Sequence, residues 1–491
     1  MAYRMRSNVC MDSEARRPLP LEICGTLSPS VQEYIQALQV QVQQLEGQVK
    51  ELEARLGQNS QNSSRPPSSD SPRQKGPRKD KTPSGRKQGG QPGHPGRHRA
   101  LYSLDQVDEV VILYPQQCDH CGESLAGAPP GGKIWRHQVV ELPEVNVKVS
   151  EYRLHRKRCR TCGQKSRAKL PPGVPRRSFG PRLQSVVTLL TGRYRLSRRE
   201  ACQLLKDLWQ AEISLGGLSC LEGVTAEALA PVMAEVVQEI QGAESVNLDE
   251  TGWSEGNSRA WLWTAVTPKV SLFRIEASRS GAVVEKLLGK DFSGVAGTDR
   301  YGAYNRIPLK QRALCHAPLK RNFQGLVDRG GEGARVGNWG VRELGRLFAL
   351  WHRFQDGELD RKGMQEELKP IKARFGRLLE QGLWGEDPKA ETLCWQLKQQ
   401  WEALWTFAQV EGVEPTNNAA ERALRPGVLW RKGSFGSQSQ RGSRFAEVMM
   451  SVAASCRQQK RNLLGFLMAA CRATLSDSPI PSLVSQSPTQ G

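Results

Sequence analysis

The sequence lacks any run of about 18 apolar residues, so no segment is suited to cross a bilayer as a helix. Its start, MAYRMRSNVCMDSEARRP, lacks the apolar core of a secretion signal. Both absences point to a cytosolic protein with no membrane partner. Acid is also in deficit: 50 Asp and Glu stand against 70 Lys and Arg, a formal net charge of +20. That imbalance favours a polyanionic partner, and nucleic acid is the commonest. A disulfide framework is missing too. Most of the cysteines stand singly, several of them in helical stretches (Cys202, Cys394, Cys456, Cys471), the usage of a reducing compartment. The 491 residues leave room for about three domains, each able to bury a core.

What is present begins with a heptad stripe. Val31, Ile35, Leu38, Val42, Leu45, Val49, Leu52 and Leu56 alternate at spacings of four and three residues among Gln, Glu and Lys. The stripe has no extra e or g apolar position, so it predicts a self-associating coiled coil over 31–57 in preference to a helix packed on its own domain. Next, Ser, Pro, Gly and Lys/Arg dominate up to residue 104 without an apolar pattern, the composition of a disordered basic linker. Its lysines and arginines hold a net charge suited to loose, salt-sensitive phosphate contact or to plain spacing.

Two C-x-x-C knuckles follow, CDHCG and CRTCG, each with a glycine after the second cysteine. Cys118, Cys121, Cys159 and Cys162 could meet one tetrahedral, structural Zn²⁺ as thiolates. The apolar alternation between them, IWRHQVVELPEVNVKVSEYRLH, predicts strands that bring the knuckles together in a zinc-ribbon-like module. From Arg153 to Arg177 there is no acid, and Arg153, Arg156, Lys157, Arg158 and Arg160 are candidate DNA contacts. In LSRREACQLLKDLW, Ser197 and Glu200 form a capping box, and a second helical segment starts after Ser214. Helix-turn-helix and ordinary helical hairpin both fit this pattern; on the first, Arg198 and Arg199 are further DNA contacts.

Strand signals return at SVNLDE, AWLWTAV and VSLFRIE, followed by the helical GAVVEKLLGK and the apolar SGVAGTD. Three strands, helix, strand is the order of a ribonuclease-H-like core, and residues 330–412 read as a long helical insertion into it. Three acids stand out: Asp249 and Asp299 at strand ends, and Glu421 in a helix that Thr416 can cap, with Asn417, Asn418 and Arg425 on its face. A surface Glu421–Arg425 pair is the plain alternative for the last. Converging carboxylates repel one another unless a cation neutralises them. Few, hard oxygen ligands suit Mg²⁺ or Mn²⁺. Two such ions could activate a water or 3′-hydroxyl and stabilise the leaving oxygen of a phosphodiester. Alternation turns Glu250 to the opposite face, which makes it the weaker candidate.

The segments QNSSRPPSSD, GGQPGHPG, the two knuckles, DETGW, TDRYGAYN, NNAAERALRP and RKGSFGSQSQRGSRFAEVMMS, in this order, give the chain its resemblance to transposases of the insertion sequence 66 family, of the Asp-Asp-Glu type. The likeness runs from the coiled coil to RNLLGFL. It implies a bacterial, nucleoid-associated transposase that binds double-stranded terminal repeats and target DNA, with Asp249, Asp299 and Glu421 as metal ligands. It also implies strand cleavage and joining, and helper proteins encoded by the same element.

The architecture is then multidomain α+β: extension (1–30), coiled coil (31–57), linker (58–104), zinc module (105–178), helix-turn-helix-like region (179–243), core (244–329), insertion (330–412), second part of the core (413–474) and tail (475–491). One departure stands out. Where family members carry a Cys-Trp-Ala-His type motif, this chain reads CHAP: Cys315 is kept, His316 replaces Trp and Pro318 replaces His. Asn322 stands where an acid is common. The alternative is therefore an impaired relic that only binds DNA through its zinc-containing module, and a nuclease that cuts without joining would use the same acids.

Overall fold

A computed structural model of the chain describes residues 28–60, 62–63, 100–129, 131–132, 134–476 and 478–484. Most of the extension, most of the basic linker and the end of the tail lie outside the described residues. The chain falls into two units. Met1–Gly76, Val237–Gly252 and Ala260–Val428 make one; Pro77–Val236, Trp253–Arg259 and Leu429–Gly491 make the other.

Helix α1 (Pro29–Leu56) opens on a proline, whose missing N–H is no loss in a first helical turn. Its heptad stripe is bare: Val31, Leu38, Val42, Leu45, Val49, Leu52 and Leu56 are 41% to 76% exposed. In the knuckle region the only ladder among the described residues is short, with strands β1 (Arg156–Arg158) and β2 (Lys165–Arg167) antiparallel. The strands expected over 134–155 do not form among the described residues. Ile134, Trp135, Val139, Leu142 and Val149 are exposed, so alternation there has no second layer against which to bury a face.

Four helices come next: α2 (Pro181–Thr188), α3 (Arg198–Trp209), α4 (Leu215–Ala228) and α5 (Ala230–Gln241). The Ser197–Glu200 capping box closes both ways, and the left-handed Gln210 ends α3. Val187, Ala201, Leu205, Leu218 and Leu221 share a core beneath α2 to α4.

The alternation in SVNLDE continues as β3 (Ser245–Glu255), which is buried at Val246, Leu248 and Glu250. Strands β4 (Ser258–Val266) and β5 (Ser271–Glu276), helix α6 (Gly281–Leu288), then β6 (Val295–Thr298) and β7 (Arg312–Leu314) follow. They build a mixed five-stranded sheet in the order β5-β4-β3-β6-β7. β4 and β5 are antiparallel, whereas β3, β6 and β7 run parallel.

Helices α7 (His316–Arg329), α8 (Gly333–Gln355), α9 (Arg361–Leu383), α10 (Pro388–Gln399) and α11 (Thr406–Gln409) form a helical block. Its buried Phe323, Leu347, Phe375, Trp405 and Phe407 are core residues, as their Trp- and Leu-rich sequence suggests. The chain closes with α12 (Asn418–Ser434), α13 (Gln440–Gln458) and α14 (Leu463–Ser476). In the second unit α13 packs on α4 and α14 on α2. There the GSFGSQS segment docks on the tip of the β3–β4 hairpin: Trp253 donates to the Ser437 hydroxyl (3.1 Å) and the Gly256 N–H to the Ser437 carbonyl (2.8 Å). No described helix is long and apolar enough to cross a membrane.

Candidate functional site

Parallel pairing decides where the first two acids lie. Asn247 on β3 faces Gly297 on β6, so the same register carried two residues further sets Asp249 across from Asp299. Asp299 directly follows the carboxyl end of β6, the edge at which open sheets expose ligand sites, whereas Asp249 does not end its strand as expected: β3 runs on to Glu255, and Asp249 lies just past its paired stretch with β6. Asp299 is pinned there. The Tyr301 N–H donates to its Oδ1 (2.8 Å), and the Arg312 guanidinium donates to its carbonyl (2.8 Å) while also holding Thr298 Oγ1 (2.9 Å).

The third acid reaches this edge through backbone ties. His316 N–H donates to the Pro415 carbonyl (2.9 Å), Asn417 N–H to Cys315 Sγ (3.2 Å), and Asn417 Nδ2 to the Leu248 carbonyl (2.6 Å). These bonds fasten the start of α12, and hence Glu421, to β3 and β7. Two expectations are corrected here. Thr416 does not cap the helix: α12 begins at Asn418, which puts Asn417 in the cap position, and the Thr416 hydroxyl donates to Glu414 (3.2 Å). Glu421 is exposed and forms no ion pair with Arg425 among the described residues.

Electrostatics join the acids. The Asp249 carboxyl is pushed well above the usual carboxylate range, first by burial and then by the charges of Glu250, Asp299 and Glu421. Burial also raises Glu250, against the hydrogen bonds of Tyr304 and Arg279. Sequence reasoning missed this last network. Glu250 lies on the buried face of β3, and its only sequence signal is the alternation that places it there. It accepts the Tyr304 hydroxyl and the side of the Arg279 guanidinium (Nε 3.0 Å, Nη2 2.5 Å). Even so, no three His, Cys, Asp or Glu side chains among the described residues stand close enough to hold a metal ion.

The departures at CHAP have structural roles. His316 is buried beside the edge of the Phe407 ring (centroids 5.5 Å), and burial lowers its pKa to about 4, which keeps it neutral. Pro318 sits in the first turn of α7, where helix N–H groups have no intrahelical partner. Asn322 accepts from Arg300 Nη2 (2.8 Å), whose Nη1 donates to Gln396 of α10 (3.1 Å).

The two knuckles have one shape. Cys118 N–H donates to the Glu123 carbonyl (2.9 Å) and Cys159 N–H to that of Gln164 (2.8 Å), while Gly122 and Gly163 N–H return to the Cys118 and Cys159 carbonyls (2.9 and 3.0 Å). Both glycines need the left-handed region, with φ of +79° and +73°. Amides within each turn point at the first sulfur and lower its pKa, in Cys159 to about 7. The structure pairs Cys118 with Cys121 and Cys159 with Cys162, but does not gather all four.

The basic residues divide. Arg156, Lys157, Arg160 and Arg199 are exposed; Arg158 Nε donates to the Gly163 carbonyl (3.0 Å) and Arg153 pairs with Glu151 (3.2 Å). Arg198 is engaged by the buried Glu222 at 2.7 Å, a partner that competes with phosphate.

Residues 177–445 match the family described as Transposase IS66 family, and residues 115–163, which span all four cysteines, match the zinc-finger binding domain of transposase IS66. Residues 25–100 match a family of unknown function, DUF6444. The chain is 26% identical over 419 residues to "Uncharacterized protein y4hP" of Sinorhizobium fredii (strain NBRC 101917 / NGR234), covering 77% of this chain and 73% of that protein. It is 27% identical over 265 residues to "Uncharacterized protein y4qI" of the same strain, covering 47% of this chain and 48% of that one.

Proposed function

Because the chain belongs to the transposase IS66 family, we propose that it binds the ends of an insertion element and cuts and joins DNA strands there, with Asp249, Asp299 and Glu421 as its catalytic acids. The observation that carries this reading is the register that sets Asp249 across from Asp299, with Glu421 close enough to raise the Asp249 pKa. The strand order β5-β4-β3-β6-β7 with β6 parallel to β3 supports a ribonuclease-H-like core interrupted by the helical block.

The donors suit a hard divalent cation: carboxylates whose mutual repulsion calls for a counter-charge, and beside them the buried Asn417 Oδ1, which has no hydrogen-bond partner. Asp249, Asp299 and Glu421 would hold Mg²⁺ or Mn²⁺, which when bound supplies Lewis acidity at a phosphodiester and a more acidic water or 3′-hydroxyl. The protein's own part is placement. Arg312 and Tyr301 fix the Asp299 turn, while Cys315 and Asn417 fix the helix that carries Glu421. Cys118, Cys121, Cys159 and Cys162 suit structural Zn²⁺, since the knuckle amides already favour thiolate. The exposed Arg156, Lys157, Arg160 and Arg199 would then lie along phosphates. Arg153, Arg158 and Arg198 keep the same role only where they give up the partners just described.

Helix α1 would pair with a second copy, since its stripe is bare within one chain. Deleting residues 31–56 is expected to turn a dimer or larger oligomer into a monomer in sedimentation; a full-length protein that is already monomeric counts against the coiled coil. The transposase reading itself is tested by mobility. A selectable marker flanked by the element's ends should move when the chain is supplied in trans, and Glu421→Gln should reduce movement at least about a hundredfold. Equal movement with Glu421→Gln would remove that residue from the triad. The relic reading, favoured by Pro318, expects no movement with either protein.

A further inference from the structure

Arg279, in the turn between β5 and α6, is tied to both acid-bearing segments. Its Nε and Nη2 hold Glu250, the neighbour of Asp249, and its backbone carbonyl accepts the Tyr301 hydroxyl (3.1 Å). Tyr301 is the residue whose N–H holds the Asp299 carboxylate. The Tyr301 ring also lies under the Arg279 guanidinium at 3.8 Å, with the Trp261 ring at 4.7 Å. Cation–π contact and two donors converging on Glu250 Oε1 fix the plane of that guanidinium beside the acids.

A purely structural counter-ion would be enclosed with its partner. Here the Glu250 side chain is 2% exposed and that of Arg279 is 35% exposed. A guanidinium has two hydrogen-bonding edges, and only the Nε/Nη2 edge is used; among the described residues Nη1 has no hydrogen-bond partner. An oriented, partly exposed fork of this kind matches two oxygens of a phosphate. Beside Glu250 and within electrostatic reach of Asp299, it places a positive charge that reaches solvent where carboxylates would otherwise repel DNA.

We infer that the outer edge of Arg279 binds a phosphodiester of the DNA backbone next to Asp249 and Asp299, and so seats the strand at the acids. This rests on the reading of the chain as a DNA-cutting enzyme and adds a substrate contact to it. Glu250 then aims the fork and is a positioning residue.

The test measures affinity for a labelled duplex copied from the DNA that flanks the coding sequence, in EDTA and across a salt series. Glu250→Gln is compared with Glu250→Gln combined with Arg279→Met. Both proteins lack the buried ion pair, so they share its structural cost; in the first the amide oxygen at 250 can still accept Nε and Nη2 and keep the fork aimed, and only the second lacks the guanidinium. The double variant is expected to bind roughly tenfold more weakly, with a log–log salt slope shallower by about 0.9. Equal affinity and equal slope would overturn the inference. Should circular dichroism show the double variant unfolded, Arg279→Lys in the native chain decides. It keeps a charge for Glu250 but has no fork, so weaker binding is expected and unchanged affinity would overturn the inference. A native protein that fails to bind the duplex would instead overturn the DNA-enzyme reading.

Discussion

Asp249→Asn is expected to lower Mg²⁺-dependent strand cleavage by at least about a thousandfold, roughly 4 kcal/mol of transition-state stabilisation, while affinity for DNA stays the same or rises. The substitution keeps the shape of the side chain and removes its charge. In the structure that charge is disfavoured by burial and by three neighbouring acids, all of which raise its pKa. A carboxyl under such pressure binds a divalent cation well and persists without one only at a cost. The amide should therefore make the metal-free protein more resistant to heat and abolish stabilisation by Mn²⁺, a pairing of effects that simple loss of a hydrogen bond would not produce. Affinity should not suffer, because a negative charge is removed from a surface that faces phosphates. A variant that still cuts at the native rate would exclude Asp249 from the chemistry.

The second large effect concerns the knuckles. Cys118→Ser combined with Cys121→Ser is expected to take bound zinc from about one equivalent to none, and with it the fold of residues 105–178. Structural zinc contributes on the order of 10 kcal/mol to small modules of this kind. The described segment around the knuckles has little else to hold it, since its apolar side chains are exposed and its one ladder, β1 with β2, is three residues long. Protease digestion should therefore open this region first, with melting of the α/β core unchanged. Full zinc content in the double variant would contradict a four-thiolate site.

Where a feature depends on local spacing, the sequence shows it directly. Ser197 and Glu200 are three residues apart and form the capping box, and the alternation at Val246 and Leu248 gives β3 its buried face. The acids at 249 and 299 could be picked out because each ends an apolar run. Their register could not, since it depends on β6 pairing with β3 across two strands and a helix. Thr416 is the instructive miss. Its hydroxyl type suited a cap, yet tertiary ties from Cys315 and Leu248 to Asn417 set where α12 begins. Arg279 was invisible for a similar reason: nothing near residue 279 announces a partner at residue 250. The strands expected in 134–155 failed because alternation predicts a face to bury and cannot supply the layer that buries it.

The most direct measurement is cleavage and joining of an end-labelled duplex carrying the element's terminal sequence, with Mg²⁺, with EDTA, and with the Asp249→Asn protein beside the native one. Cut strands and joined products in Mg²⁺ with native protein alone are the result expected of a transposase built on Asp249, Asp299 and Glu421. Tight binding with no cutting in Mg²⁺ or Mn²⁺, or equal cutting by Asp249→Asn, would contradict it.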